Sequence, residues 1–342
     1  LVFDGSSFVL DKKCMLTCQL PSFKEVMISQ NWIREGGYWV PQRSEIHSEP
    51  NFNESLYQAL VLGLRDYVTK NRFPGVLIGL SGGVDSALTA SIAVDAIGKD
   101  KVHTIMMPSR YTSEDSLKDA KDCSEFLGVH YDIIEIESMV KSFSEALAPS
   151  FKGYKADTTE ENIQARVRGV ILMAQSNKFG HMVIATGNKS EMSVGYSTLY
   201  GDLCGGFAVL KDLYKTKAFE LCHWRNENYP KGALGPSGRV IPENTITKPP
   251  TAELRGNQKD EDNLPPYDVL DDILESFIEY DLSVEDIIKK GHDKETVARV
   301  EHMLYIAEYK RRQAPPGVKI TPRLFGRERR YPITNGFRNA DK

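Results

Sequence analysis

The sequence predicts a doubly wound α/β fold: a parallel sheet covered by helices on both faces, with further helices at the C-terminal end. Three observations carry this expectation. Between residues 76 and 185 short apolar runs alternate with longer stretches of helical periodicity, the pattern of buried strands joined by helical crossovers. The first run leads at once into a glycine turn, Leu80-Ser-Gly-Gly-Val-Asp-Ser86, and then into a helix, so the turn stands at a strand's carboxyl end, where ligands bind in such folds. A chain of 342 residues, 41% hydrophobic and 26% charged, has the composition of a globular protein with a substantial core.

The elements follow in order. Residues 1–3, 7–10 and 15–17 are short β-type runs broken by Asp4-Gly5-Ser6 and Asp11-Lys12-Lys13 turns. They are too few to close a sheet, so the front of the chain reads as an appendage or the tail of something larger, ending in a polar linker at 42–50. A helix over 53–70 places Leu56, Leu60, Leu64 and Val68 on one stripe. Strands are expected at 76–80, 102–107, 131–136 and 182–185, with helices at 85–97, 113–127 and 160–177. After Lys215 a helix runs to Asn228. The polar run 255–263 reads as a solvated, mobile loop, and helices are expected at 267–280, 283–290 and 294–312.

Bulk properties exclude several classes. Lys plus Arg total 43 against 47 Asp plus Glu, and a net charge of -4 gives no global attraction to nucleic acid. The tail arginines Arg323, Arg327, Arg329, Arg330 and Arg338, interleaved with Phe325, Tyr331 and Phe337, therefore read as a docking surface for a partner domain or subunit. Five scattered cysteines, Cys14, Cys18, Cys123, Cys204 and Cys222, form no C-x-x-C framework and suit reduced thiols in the cytoplasm. No apolar run approaches the ~18 to 20 residues of a membrane span, and the first residues lack a signal-peptide layout.

The glycine turn carries the chemistry. Backbone N–H groups and a helix dipole at this position favour an anion, and adjacent Gly82 and Gly83 let the main chain approach phosphate oxygens closely. Ser81 and Ser86 add hydroxyls. Asp85 repels phosphate, so a bridging Mg²⁺ is the reason for a carboxylate there, and Mg-ATP is the expected ligand. Gly79, Leu80, Ser81, Gly82, Gly83, Val84, Asp85 and Ser86 are the expected ATP contacts. No Gly-Lys-[Ser/Thr] follows, and no G-x-G-x-x-G is present in the turn, which removes two other phosphate loops. The bland alternative is a glycine turn with Asp as helix cap. What remains resembles the pyrophosphatase loop S-G-G-x-D-S, and that resemblance implies cleavage of ATP between its α and β phosphates.

More distant segments narrow the substrate. Ala185-Thr-Gly-Asn-Lys-Ser-Glu191, Lys248-Pro-Pro-Thr-Ala-Glu-Leu254, Tyr309-Lys-Arg-Arg-Gln-Ala-Pro-Pro316 and Glu161-Asn-Ile-Gln-Ala-Arg-Val-Arg168 together resemble NAD synthetases of the glutamine-dependent type, from residue 46 to the end. The resemblance implies a Rossmann-like sheet of the adenine nucleotide alpha hydrolase type over 49–342. It implies Glu191 as the second Mg²⁺ ligand beside Asp85, although a helix-start Glu is also favoured by the dipole alone. It implies Thr186 and Thr251 as ATP contacts, and Arg110 and Lys215 as phosphate clamps, with Asp85 and Lys215 catalytic. Asn162, Glu191, Tyr196, Ser197, Thr198, Leu199 and Lys310 match positions that hold deamido-NAD. Smaller, ammonia-using members place an acidic residue a few positions beyond Asp202, so that contact is not carried over.

The implied reaction is attack of the nicotinate carboxylate on the α-phosphorus, followed by ammonia on the acyl adenylate, leaving NAD, AMP and pyrophosphate. Alignment and charge stabilisation supply the acceleration, with 255–263 closing over the site. Residues 1–48 resemble the final strands of a nitrilase-like glutaminase domain plus linker, and none of the five cysteines matches its nucleophile, so this chain is expected to use free ammonia. A homodimer or larger homo-oligomer is implied. The rivals are another ligase with the same loop, such as GMP synthetase or an asparagine synthetase-like enzyme, and a non-catalytic nucleotide-binding module.

Overall fold

The computed structural model describes residues 1–256 and 258–336. At the front, β1 (Phe8–Leu10) pairs antiparallel with β2 (Leu16–Gln19), and β3 (Trp32–Glu35) with β4 (Tyr38–Pro41). Residues 1–3, expected as a strand, instead lay Val2 against the main core. The β3–β4 hairpin was not anticipated, although Gly36 and Gly37 mark it: both take positive φ, 57° and 87°, which a two-residue hairpin turn demands.

The main body starts with α1 (Phe52–Lys70), capped by Asn51, whose side chain accepts the Glu54 N–H. The expected alternation then appears: β5 (Val76–Gly79), α2 (Val84–Ile97), β6 (Val102–Met106), α3 (Glu114–Leu127), β7 (His130–Ile133), α4 (Glu137–Leu147), α5 (Thr158–Phe179) and β8 (Met182–Ala185). Helix α4 escaped the sequence reading because its first residue follows Ile136, which offers no capping bond. Beyond β8 come α6 (Lys189–Val194), β9 (Phe207–Ala208), α7 (Lys215–Glu227) and α8 (Glu243–Thr247). The fifth strand is only two residues long, too short to show a period.

The sheet is parallel, in the order β7-β6-β5-β8-β9. The chain moves outward from β5 to β7 and then returns to the other side of β5, so the order reverses between β5 and β8. Val76 and Ile78 enter the core on the α1, α2 and α7 side, and Leu77 between them enters the core beneath α4 and α5. A third core joins α9 (Tyr267–Ile278), α10 (Val284–Lys289) and α11 (Lys294–Ile306), while the expected helix at 294–312 breaks at Ala307 into α11 and α12 (Glu308–Arg311). Among the described residues, no helix is long and apolar enough to cross a membrane.

One expectation is corrected in part. Most of the run 255–263, apart from Asn257, which lies outside the described residues, is exposed as expected, but Gln258 and Asp260 are buried, and 260–262 forms a 3₁₀ turn. Asp260 is drawn in by the Tyr196 and Tyr267 hydroxyls, at 3.2 and 2.9 Å. Within the tail Phe325 is buried and Arg323 and Arg329 both pair with Asp281, while Arg327 and Arg330 stay exposed. Phe337 and Arg338 lie outside the described residues.

Candidate active site

The reversal of strand order leaves a crevice at the carboxyl ends of β5 and β8, and both following loops face it. After β5 the chain turns through Gly82 at φ +81°, where a Cβ would stand 2.4 Å from the Ser116 carbonyl oxygen. Only glycine satisfies both the backbone and the space. Ser86 Oγ donates to the Gly83 carbonyl at 3.0 Å and accepts from the Ser81 N–H at 3.2 Å, and Gly83 N–H donates to Ser81 Oγ at 3.3 Å. The turn is thus shaped by its own serines, at the positive end of a 14-residue helix.

Three charged side chains converge at its mouth. Asp85 stands on the first turn of α2, Glu191 on the first turn of α6, and Lys215 opens α7. The Lys215 ammonium pairs directly with Asp85 Oδ2 and lies 3.4 Å from Glu191 Oε1. Asn188 Nδ2 donates to Asp85 Oδ1 at 3.1 Å. Asn188 also caps α6, accepting the Glu191 N–H at 2.9 Å while its own N–H donates to Glu191 Oε2 at 3.3 Å. One oxygen of Glu191 therefore serves the helix start and the other faces the crevice.

Electrostatics follow from this packing. Burial, and then the charge of Asp85, push the Glu191 carboxyl well above the usual carboxylate range, against the pull of Lys215. Burial works against the Lys215 charge, but Asp85 and Glu191 outweigh it and hold the ammonium protonated. Asp260 is raised by burial and partly restored by Lys215 and the two tyrosine hydroxyls. On the other wall, burial lowers the Arg168 guanidinium to about 10, opposed by Glu253; its Nε donates to the Met107 carbonyl at 3.0 Å.

The cleft encloses about 300 Å³. Gly79, Leu80, Ser81, Gly83, Val84, Asp85, Ser86, Thr186, Glu191, Tyr196, Thr198, Lys215 and Thr251 wall it, as does Asp202, whose Oδ1 accepts the Thr198 N–H at 2.5 Å. Gly82 backs the turn onto α3. Other expected contacts stand outside that wall. Arg110 is largely exposed and paired with Glu137. Asn162 Oδ1 accepts the Thr198 hydroxyl at 2.8 Å and so supports the wall from behind. Lys310 Nζ donates to the Gly195 and Ser197 carbonyls, 2.7 Å each, and the Leu199 carbonyl accepts from Arg166 at 3.2 Å. These residues tie the 195–199 segment together rather than present charge to the cleft.

Asn188, Arg168, Lys248 and Asp260 are functional candidates that the structure adds to the sequence-derived set. An N-x-x-E capping signature, Asn188 to Glu191, was legible for the first. Lys248, in the quoted Lys-Pro-Pro-Thr segment, reaches Asp119 at 2.8 Å and Ser116 Oγ at 3.1 Å. Nothing local marks Asp260.

Comparison with known proteins gives a consistent picture. Residues 56–314 match the family model described as NAD synthase. A glutamine-dependent NAD(+) synthetase from Rhodobacter capsulatus is 51% identical over 338 residues, 99% of this chain and 61% of that protein. A solved structure of glutamine-dependent NAD+ synthetase from Acinetobacter baumannii, in complex with ADP, superimposes with a TM-score of 0.68 at 49% identity, covering 98% of this chain and 59% of that one. The NH3-dependent NAD synthetase from Campylobacter jejuni gives a TM-score of 0.59 at 25% identity, over 75% of this chain and 94% of that one. The chain thus spans 61% of the length of its Rhodobacter relative.

Proposed function

The chain belongs to the NAD synthase family, and from that premise we propose that it converts deamido-NAD to NAD at the expense of ATP, releasing AMP and pyrophosphate. The observation that carries the proposal is the convergence of Asp85, Glu191 and Lys215 at the mouth of the 81–86 turn. Phosphates laid on that turn meet backbone N–H groups and the positive end of α2; the Acinetobacter relative was solved in complex with ADP, which supports an adenine nucleotide as a ligand of the family. Asp85 and Glu191 fit Mg²⁺: they are hard oxygen donors from adjacent strand ends, both already drawn to one cation, the Lys215 ammonium. Bound by them, Mg²⁺ would offset charge on the ATP phosphates.

Lys215, held protonated, is placed to stabilise charge on the departing pyrophosphate as the nicotinate carboxylate bonds to the α-phosphorus. Ammonia then bonds to the acyl carbon, AMP leaves, and the nitrogen gives up a proton. Asp260, buried beside Tyr196 and Tyr267, folds the 258–263 segment over the cleft and limits the approach of water to the adenylate. Residues 1–48 form, in this proposal, the end of a glutaminase domain like that of the glutamine-dependent relatives. Free thiols at all five cysteines support a cytoplasmic setting, and the family resemblance supports a homodimer.

The test is an assay of ATP, Mg²⁺ and deamido-NAD with ammonium or glutamine, following NAD, AMP and pyrophosphate. Equal amounts of all three products with ammonium are expected. ATP binding without pyrophosphate release on any nicotinate substrate overturns the ligase.

A further inference from the structure

The amino end of the sheet, opposite the cleft, carries a second group of polar side chains. In parallel register His103 on β6 pairs with His130 on β7, and Ile105 with Asp132. Residues two apart on a strand share a face, so His103, His130 and Asp132 project to one side. His103 Nε2 stands 2.8 Å from Asp132 Oδ2, and His130 Nε2 is 3.4 Å from the same oxygen. The two imidazoles meet edge to face, with centroids 4.2 Å apart. Among the described residues this is the one group of three or more His, Cys, Asp or Glu whose ligand atoms all lie within 4.8 Å of one another.

We propose that His103, His130 and Asp132 form a binding site for a divalent transition-metal ion, with Zn²⁺ as the best match. Two imidazoles and a carboxylate are a borderline donor set that suits Zn²⁺, Co²⁺ or Ni²⁺ and is a poor one for Mg²⁺. Ligands ~2.1 Å from a tetrahedral zinc lie roughly 3.4 Å apart. Two of the separations, 2.8 and 3.4 Å, lie near that value and all lie within 4.8 Å, so side-chain adjustment without backbone movement would complete the set. His103 is nearly buried, whereas His130 and Asp132 are open to solvent, which fixes one ligand and gives the ion a route in. A further imidazole, His181 ahead of β8, lies 6.3 Å from the His103 ring, and its buried Nδ1 has no hydrogen-bond partner. The ion would clamp β7, the edge strand, onto β6, independently of the cleft at the other end of the same strands.

The experiment titrates the full chain, stripped with a chelator, with Co²⁺ and with Zn²⁺ in competition with a chromophoric chelator. It uses the unmodified protein, Asp85→Asn, and a His130→Asn/Asp132→Asn double variant at the two exposed positions. One tightly bound equivalent with tetrahedral Co²⁺ absorption is expected in the unmodified protein and in Asp85→Asn. The double variant should bind at least roughly a hundredfold more weakly, beyond the 10- to 100-fold cost of losing even an outer-shell partner. Zinc should also protect His103 from carbethoxylation, read by mass spectrometry. The proposal is overturned if the double variant binds Zn²⁺ as tightly as the parent, if Co²⁺ gives thiolate charge-transfer bands, or if Asp85→Asn removes the equivalent.

Discussion

Lys215 and Asp85 form a direct ion pair across the cleft, although they open different helices and each has a further partner, Glu191 for the lysine and Asn188 for the aspartate. In the proposed reaction the lysine is therefore held where phosphate charge would develop, and removing either partner leaves the others misaligned. Asp85→Asn is expected to lower deamido-NAD-dependent ATP–pyrophosphate exchange by roughly a hundredfold or more, the scale of losing one preorganised charge contact. Because Lys215 retains Glu191, the fold should survive, and unchanged circular dichroism checks that. Full exchange activity would remove Asp85 from the mechanism.

Glu191 titrates well above the usual carboxylate range, first through burial and then through Asp85. A protonated carboxyl does not bind Mg²⁺, so binding must release that proton. Apparent Mg²⁺ affinity should therefore weaken as pH falls from about 9 to about 6, well above the range where an ordinary Glu would interfere. Titrating activity against Mg²⁺ at several pH values reads this, and Glu191→Gln should flatten the dependence. A slope that persists in the variant would assign it to another group.

Gly82 and Gly83 are adjacent but unequal. A Cβ on Gly82 needs φ +81° and meets a main-chain oxygen at 2.4 Å, whereas one on Gly83 meets only the Ser81 hydroxyl at 3.3 Å. Gly82→Ala should cost ~1 to 3 kcal/mol in backbone strain and push the turn off α3. Equilibrium unfolding and ATP binding should both suffer more in Gly82→Ala than in Gly83→Ala.

Lys189, next to the capping Asn188, is fully buried between Asp212 at 2.8 Å and Glu279 at 2.5 Å, and it also donates to Thr321 Oγ1 at 2.5 Å. It fastens α6, and with it Glu191, to α9 and the C-terminal segment. Lys189→Met leaves two buried carboxylates without their cation, a change expected to cost ~3 to 5 kcal/mol. A drop in the denaturation midpoint at constant slope reads it. Lys217→Met, which breaks the exposed pair with Glu220, should stay within ~0.5 kcal/mol.

Residues 81–86 were legible because every requirement of that turn is local: two glycines, two hydroxyls and a helix start within a few positions. The same holds for the strand and helix alternation, which depends on periods of two and 3.6 residues. Short elements such as β9 fell below the length at which a period can be seen. The pairing of Asp85 with Glu191 and Lys215 depends instead on β5 and β8 being neighbours in the sheet, which only the strand order decides. Tertiary packing also turned Arg110 toward Glu137, engaged Lys310 with two carbonyls, and drew Asp260 out of a polar run into the cleft. A charged side chain's role is set by the partners that compete for it, and those partners are distant in sequence. The chain by itself determined where its backbone turns and which residue types gather at the turn proposed to hold phosphate. The folded structure decided which charges meet there.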